Sequence, residues 1–218
     1  MARTIFDNEL DELNNNMIEM GSMIELAISD AVKALGNNDT EIAKKTIDGD
    51  SAVDGMERKI ESLCLKLVMQ QQPVANDLRY ISAALKMITD MERIGDHAAD
   101  ISEIVLMMTD KPYTCDLDLI KSMARETIYM LNKSIEAYVD RDRELADEII
   151  AHDDVVDKLY IDVKNELIGL INDNPANGEE AMDLMSVAKY FERIGDHATN
   201  IADWVVFSIT GDHSKVQN

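Results

Sequence analysis

The segment "ERIGDHA" occurs twice in this chain of 218 residues, as Glu92–Ala98 and again as Glu192–Ala198. Each copy places a glutamate and an aspartate four residues apart, so that both acids lie on one face of a helix. Each copy also has a glycine between the acids, which weakens a helix interior by about 1 kcal/mol relative to alanine. The repetition indicates a duplicated helical unit in which this motif serves a common purpose.

The sequence around the first copy predicts three helices, with the motif in the third. Apolar residues recur every three or four positions from Leu10 to Ala34, a pattern typical of a helix packed in a bundle. Gly36 and the asparagines after it predict the end of this helix, and Asp39 or Thr40 predicts the cap of the second. The second helix runs to "QQQPVAND", which predicts the turn into the third.

The same order of features follows in the second half, with "VDRDRE" as the break and "NDNPANG" as the turn. The halves align at an offset of 103 through the start of the second helix and at 100 in the third. The sequence therefore predicts an all-α fold made of a tandem repeat of two antiparallel three-helix units. We assign residues 6–110 to the first repeat, 116–210 to the second, and 211–218 to a flexible C-terminal tail.

The composition excludes several classes of protein. The chain has 43 acidic against 21 basic residues, a net charge of −22, which disfavours binding to nucleic acids or directly to anionic membranes. Cys64 and Cys115 form no close pair and indicate neither a zinc knuckle nor a disulfide framework. The N-terminal segment does not resemble a signal peptide, and no apolar run is long enough to span a bilayer. We expect a soluble, cytoplasmic protein.

In each half, four acidic residues lie at matching distances from the turn between the second and third helices. Asp54 lies 19 residues before Pro73 and Glu92 lies 19 after it, while Asp50 and Asp96 each lie 23 away. Because the two helices joined by this turn run antiparallel, all four carboxylates stand at one height, roughly 30 Å from the turn. The second half repeats this symmetry. The eight acids are Asp50, Asp54, Glu92 and Asp96, then Asp153, Asp157, Glu192 and Asp196.

Four carboxylates at one height repel one another and raise each other's pKa, so a positive charge is expected among them. Salt bridges from Arg93, Arg193 and nearby lysines are one explanation. One arginine per half does not balance four acids, however, and oxygen-rich sites suit magnesium, calcium, manganese and oxidised iron. We therefore predict metal binding. Gly95 and Gly195 have two compatible explanations, which are close helix crossing and room for a metal with its waters.

His97 and His197 follow the aspartates of the two motifs, and their positions do not match those of known bundle ligands. Di-iron bundle proteins place a histidine three residues after a glutamate, where this chain has glycine. A phosphotransfer bundle would present one reactive histidine on an exposed helix face. His97 is the candidate for that role in this chain. We expect ordinary polar contacts from both histidines.

With these residues in view, the chain resembles the PhoU family of accessory regulators of phosphate-specific transport. The resemblance rests on "ERIGDHA" in both halves, on "GDSAVDGME" and "HDDVVDKLY", and on "QQPVANDLR" at the first turn. It implies two three-helix bundles packed side by side, each carrying a multinuclear metal cluster of iron or zinc, with manganese or magnesium as alternatives. The implied ligands are the eight acids named above.

The sequence departs from a perfect repeat near the motifs. "EEAMDLM" stands where the first half has "DLR", and Asn200 stands where the first half has Asp100. If those positions assist the metal, the two clusters should differ in nuclearity or affinity.

The resemblance also implies a function. Proteins of this family repress the phosphate-starvation response when phosphate is plentiful, and they are thought to link the transporter ATPase PstB to the sensor kinase PhoR. Contact with the membrane would be indirect, through these partners, and a homodimer is part of the same expectation. We find no nucleophile elbow or phosphate-cradling glycine loop and expect no enzymatic activity. The alternatives are an accessory protein of a different phosphate carrier, a carboxylate-bridged metalloenzyme and a purely structural scaffold.

Overall fold

The structure is a computed structural model that describes residues 2–71, 73–108 and 113–213. Within these ranges the chain forms helices and no strand, so the prediction of an all-α fold is confirmed. The helices are α1 Ala2–Asn37, α2 Thr40–Gln71, α3 Ala75–Met107, α4 Asp118–Asp140, α5 Arg143–Asp173 and α6 Gly178–Thr210, with a 3₁₀ turn at Pro175–Asn177 before α6.

The first helix of each half ends at a residue in the left-handed conformation. Asn38 follows α1 with φ 52°, and Arg141 follows α4 with φ 54°, at positions 103 apart. The sequence-based prediction placed the break at Gly36 and the asparagines after it; Gly36 lies inside α1, and the helix ends at the asparagines. Asparagine adopts the left-handed conformation more readily than most residues, and here it ends the helix in place of the glycine.

An aspartate caps the second helix of each half. Oδ1 of Asp39 accepts a hydrogen bond from the backbone nitrogen of Ile42 at 3.1 Å, and Oδ1 of Asp142 accepts one from Leu145 at 3.1 Å. The prediction that Asp39 begins the second helix is therefore confirmed. The caps follow the same 103-residue offset, so the duplication extends to individual hydrogen bonds.

Each half packs as a three-helix bundle, and the halves meet mainly through α3 and α6, with a smaller contact between α1 and α4. The α3 and α6 axes are antiparallel, because Asp90 on α3 contacts His197 on α6 while His97 contacts Tyr190. The two hairpin turns therefore lie at opposite ends of the molecule. The buried core, built largely of Leu, Ile, Met and Ala, is continuous from one half to the other.

The segments that flank the second half on either side pack against α6. The backbone nitrogen and hydroxyl of Thr114 both donate to the Glu180 carboxylate, each at 2.7 Å. After α6, the ring of His213 packs on Trp204 and Phe207, with centroids 4.6 and 4.9 Å away. The predicted tail residues 214–218 and the predicted repeat boundary at residue 110 lie outside the described residues. None of the described helices has an apolar stretch sufficient to cross a lipid bilayer.

Candidate metal centre

In the first half, the two acids of α2 and the two of α3 meet across the groove between these helices. Burial raises the pKa of Asp50, and the nearby charges of Asp96 and Asp54 raise it further. Burial also raises the pKa of Glu92, and Asp96 makes the next largest contribution. Asp50 of α2 and Asp96 of α3 line the same cleft, and Gly95 of α3 lies against Asp50, so the acids of the two helices stand at one height, as the hairpin count predicts.

The second half repeats this arrangement between α5 and α6. Burial together with the charges of Asp157 and Asp196 raises the pKa of Asp153 to about 6. Burial raises the pKa of Asp157, and the charge of Glu192 adds to it. The pKa of Asp196 is raised by the same two causes in the same order. Each half therefore carries a four-carboxylate cluster, and we call the two sets the first and second acidic clusters.

The motif glycines sit where the paired helices approach most closely. A Cβ atom at Gly95 would lie 3.2 Å from Cγ1 of Val53 and 3.4 Å from Oδ1 of Asp50. A Cβ atom at Gly195 would lie 3.2 Å from Oδ1 of Asp153 and 3.3 Å from a valine methyl on α5. The explanation of close helix crossing is thus supported, since each glycine lies against a valine and an aspartate of the neighbouring helix.

Two arginines partly neutralise the first acidic cluster. Nη1 of Arg93 lies 2.7 Å from Oδ2 of Asp96, and its Nε lies 3.5 Å from Oε2 of Glu92. Nη1 of Arg58 lies 3.9 Å from Oδ2 of Asp54 on an exposed surface, where an ion pair contributes little. Salt bridges therefore supply part of the positive charge, as the alternative explanation proposed, and leave the cluster net negative.

The second acidic cluster is paired with a lysine instead. Nζ of Lys189 contacts Oε2 of Glu192 one helical turn away. The sequence-based alternative named Arg193 and nearby lysines; Lys189 fits the second of these, while in the described part of the chain Arg193 forms no ion pair with the cluster. Its side chain lines the cleft beside His97 of α3; burial lowers the pKa of His97, and the positive charge of Arg193 adds a small further decrease. One lysine facing four carboxylates leaves this cluster also net negative.

The residues of both clusters fit a metal in their donor chemistry and charge. Carboxylate oxygens suit magnesium, manganese and oxidised iron, and zinc also accepts them. Across the described residues, no group of three or more His, Cys, Asp or Glu side chains is already arranged to hold an ion. In the first cluster Arg93 is paired with Asp96, so a metal that used Asp96 as a ligand would have to displace this ion pair.

The two motif histidines lie where α3 crosses α6, between the acidic clusters. Nδ1 of His97 lies 3.2 Å from Oδ2 of Asp100, and Nδ1 of His197 lies 2.8 Å from Oδ1 of Asp90. Their ring centroids are 5.6 Å apart. Each histidine therefore makes a polar contact with an acid outside the clusters, as the sequence led us to expect.

A cleft of about 610 Å³ opens beside this crossing. Asp50 and Asp96 of the first cluster line it together with Asp100, so the cleft leads directly to that cluster. Asp100 also adds to the raised pKa of Asp50. Its counterpart Asn200 instead donates to Oδ1 of Asp90 at 3.2 Å, across the interface between the halves.

The role of Asp90 was not found from the sequence. It lies outside the repeated motif, and its partners His197 and Asn200 follow it by more than a hundred residues. The contact depends on the antiparallel crossing of α3 and α6, which no local pattern specifies. The one sequence signal was the unexplained change from Asp100 to Asn200 between the halves.

Comparison with known proteins places the chain among one set of relatives. The sequence family described as "PhoU domain" matches residues 17–105 and again 120–205. The "phosphate-specific transport system accessory protein PhoU homolog" of Clostridium acetobutylicum is 36% identical over 212 residues, which is 97% of each chain. The PhoU accessory protein of Escherichia coli is 31% identical over 206 residues, 94% of this chain and 86% of that one.

Solved structures agree with the sequence comparison. The crystal structure of the "phosphate transport system regulatory protein PhoU" from Streptococcus pneumoniae superposes with a TM-score of 0.88 at 27% identity, covering 97% of this chain and all of that one. The crystal structure of PhoU from Pseudomonas aeruginosa superposes with a TM-score of 0.86 at 28% identity, covering 95% and 100%. The side-by-side arrangement of two three-helix bundles is thus the fold of those proteins.

Proposed function

Because this chain belongs to the PhoU family, we propose that it is a metal-binding accessory regulator of phosphate uptake. It acts as a negative regulator of the phosphate-starvation response by linking a phosphate ABC transporter to a sensor histidine kinase. Its partners are the transporter ATPase PstB and the kinase PhoR, which it meets at the cytoplasmic face of the membrane. The names of its relatives support the connection to phosphate transport.

The observation that carries the metal-binding part is the duplicated four-carboxylate cluster. Asp50, Asp54, Glu92 and Asp96 hold one metal cluster, and their counterparts in the second half hold the other. Burial and mutual repulsion raise the pKa of members of both sets, so each set is strained without a counterion. Bound iron, zinc or another multivalent cation supplies the concentrated positive charge that relieves this repulsion.

The two sites differ in their surroundings, and we propose that they differ in affinity. Asp100 places a fifth negative charge near the first cluster, while Asn200 contributes none to the second. The first cluster is also opposed by two arginines and the second by one lysine. Metal should therefore load the two sites at different concentrations.

A regulatory role without catalysis fits the relatives, which are named accessory proteins. A metalloenzyme that uses the same carboxylates is the second candidate, because the cleft of about 610 Å³ gives small molecules access to the first cluster. Turnover of phosphate esters at an ordinary enzymatic rate by the metal-loaded protein would replace our proposal with this one.

Metal analysis tests the ligand assignment. Wild-type protein and an Asp96→Asn/Asp196→Asn variant are incubated with iron, zinc and manganese salts, desalted and subjected to elemental analysis. We expect more bound metal in the wild type and a larger fall in its melting temperature on chelation. Equal metal content would show that the assigned ligands are wrong.

A genetic experiment tests the regulatory role separately. Deletion of the gene should switch on a phosphate-starvation reporter in phosphate-rich medium, and the wild-type chain should restore repression. Purified chain should also bind PstB and the cytoplasmic part of PhoR. A reporter that responds to deletion while neither protein binds would favour an accessory role with a different phosphate carrier.

A further inference from the structure

A groove lies between α1 and α2 on the first half. Its volume is about 180 Å³, and its walls are largely apolar. Met23, Leu26 and Ala27 line it from α1, and Gly49 and Val53 line it from α2. Leu26 is 56% exposed, so a large apolar side chain lies uncovered at its edge.

Gly49 keeps this groove open and has no packing reason to be glycine. A Cβ atom at this position would meet no atom within 4 Å, in contrast to the crowded Gly95. Glycine in the middle of a helix nevertheless lowers its stability relative to alanine. The missing side chain therefore costs stability and leaves a depression on the surface.

In the second half, two aromatic rings fill the surface that corresponds to this groove. At the 103-residue offset that the helix caps fix, Leu26 corresponds to Tyr129 and Gly49 to His152. The rings of Tyr129 and His152 pack together with centroids 4.9 Å apart. The internal repeat thus provides a closed version of the same surface.

Two further residues hold those rings in place. The hydroxyl of Tyr129 donates to Oε1 of Glu148 at 3.1 Å, and Nε2 of His152 lies 2.8 Å from Oε2 of Glu126. The first half has Lys45 and Met23 at the positions of these glutamates. All four elements of the closing network are therefore replaced in the first half.

We propose that the groove over Gly49 docks an apolar side chain carried on a basic amphipathic helix of a partner protein. A cavity of about 150 Å³ lined by apolar residues accommodates a molecule of the size of benzene, so this groove accommodates one large side chain. Helices with an apolar face commonly bind by placing such anchors into a groove.

The charge around the groove favours a basic partner. Asp50, Lys45 and Asp30 line the groove, and Asp30 is paired with Lys33 at 2.9 Å. The surrounding helix is acidic, because α1 carries seven acidic against two basic residues. A second copy of the chain would bring another net charge of −22 to this surface, which opposes self-association. A helix rich in lysine or arginine is attracted instead.

This inference does not depend on the identity of the transporter, and it shares one residue, Asp50, with the first acidic cluster, so its test uses metal-free protein and variants that keep Asp50. It can therefore fail while the proposed function holds, and the reverse is also true. The test uses a double variant, Leu26→Tyr with Gly49→His, which introduces the two packed rings of the second half and leaves the net charge at pH 7 unchanged. Gly49→Leu is a second way to fill the groove at a site with open space around it. Thermal melting establishes that each variant folds.

The probe is a synthetic amphipathic helix of leucine and lysine, titrated by calorimetry, with a leucine and glutamate helix as the control. We expect the lysine helix to bind the wild type and to bind both filled variants about tenfold more weakly, the loss expected for one apolar anchor. In NMR spectra, the methyl signal of Met23 should shift on binding, while that of the exposed Met182 should not.

Three results would overturn the proposal. One is equal binding of the lysine helix to the wild type and the folded variants, which would mean that it senses only the acidic surface. Another is an unchanged Met23 methyl signal at saturation. The last is a concentration-dependent dimer of the wild type in sedimentation experiments that the filled variants do not form, since the occupant would then be a second copy.

Discussion

Gly195 of α6 packs against the carboxylate of Asp153 on α5, because a Cβ atom at position 195 would stand 3.2 Å from Oδ1 of that aspartate. The same relationship joins Gly95 and Asp50 in the first half, at 3.4 Å. Each motif glycine therefore sets the distance between two helices and the space beside a carboxylate. The glycine and the acids of "ERIGDHA" belong to one structural feature.

Replacing Gly195 by alanine should disturb the second acidic cluster. The new methyl group would press on Asp153 and on the neighbouring valine, which offsets the gain in helix propensity of about 1 kcal/mol. Gly169→Ala, on α5 where a Cβ meets nothing within 4 Å, is the matched control and should stabilise by about 0.5–1 kcal/mol. Urea unfolding measures both. An equal gain in the two variants would show that Gly195 is not crowded.

The pH dependence of stability should report the raised pKa of Asp153, about 6 in the folded protein against 3.8 as its ordinary value. Between these values the folded state binds more protons than the unfolded state, so stability falls as pH rises from about 4 to about 6. Each pKa unit corresponds to about 1.4 kcal/mol, and solvent screening at this half-buried carboxyl reduces the net loss to about 1 kcal/mol.

The measurement is urea unfolding of metal-free protein across this pH range. Asp153→Asn removes the ionisation and should flatten the decline, giving a variant that is more stable than the wild type above pH 6. The exposed Asp48 provides the control, since Asp48→Asn should leave the slope unchanged. Parallel curves for Asp153→Asn and the wild type would contradict the prediction.

The helices and the acidic clusters follow from the sequence because local patterns determine them. Apolar spacing fixes the helices, and a short turn forces the two helices it joins to be antiparallel, so that counting from Pro73 and its counterpart pairs Asp54 with Glu92. This argument uses only helix rise and one turn per half, and each step lies within a single hairpin.

The packing of the two halves against each other could not be predicted from the sequence. The contact of Asp90 with His197 spans the α3–α6 interface, and nothing near either residue indicates which way those helices cross. The groove at Gly49 also has no local sequence signal, because it depends on the absence of the ring that His152 supplies at the corresponding position of the second half.

The guanidinium of Arg93 should stabilise the metal-free first acidic cluster and should compete with metal for Asp96, and removing it should reveal both effects. Arg93→Gln removes the charge 2.7 Å from Oδ2 of Asp96, so the metal-free protein should lose about 0.5–1 kcal/mol of stability. The same change frees a carboxylate for metal, so manganese should bind the first cluster several-fold more tightly by calorimetry, as expected for about 1 kcal/mol.

The control for this prediction is Lys59→Gln, which removes a positive charge that lies 3.8 Å from Glu19, outside the clusters. It makes the net charge more negative to the same extent as Arg93→Gln. Tighter manganese binding in both variants would mean that the overall charge, and not the ion pair with Asp96, governs the affinity.

The contact between Asp90 and His197 should stabilise the joining of the two halves. The Asp90 carboxylate, 16% exposed, accepts from Asn200 and lies 2.8 Å from Nδ1 of His197. Asp90→Ala leaves both partners without their acceptor at the α3–α6 interface and should cost about 1–3 kcal/mol. Asp48→Ala, at an exposed position on α2, should change stability by no more than about 0.5 kcal/mol.

A double-mutant cycle of Asp90→Ala with His197→Ala should give a coupling of about 0.5 kcal/mol or more in urea unfolding. Strictly additive losses would show that the two residues are neighbours without a stabilising interaction.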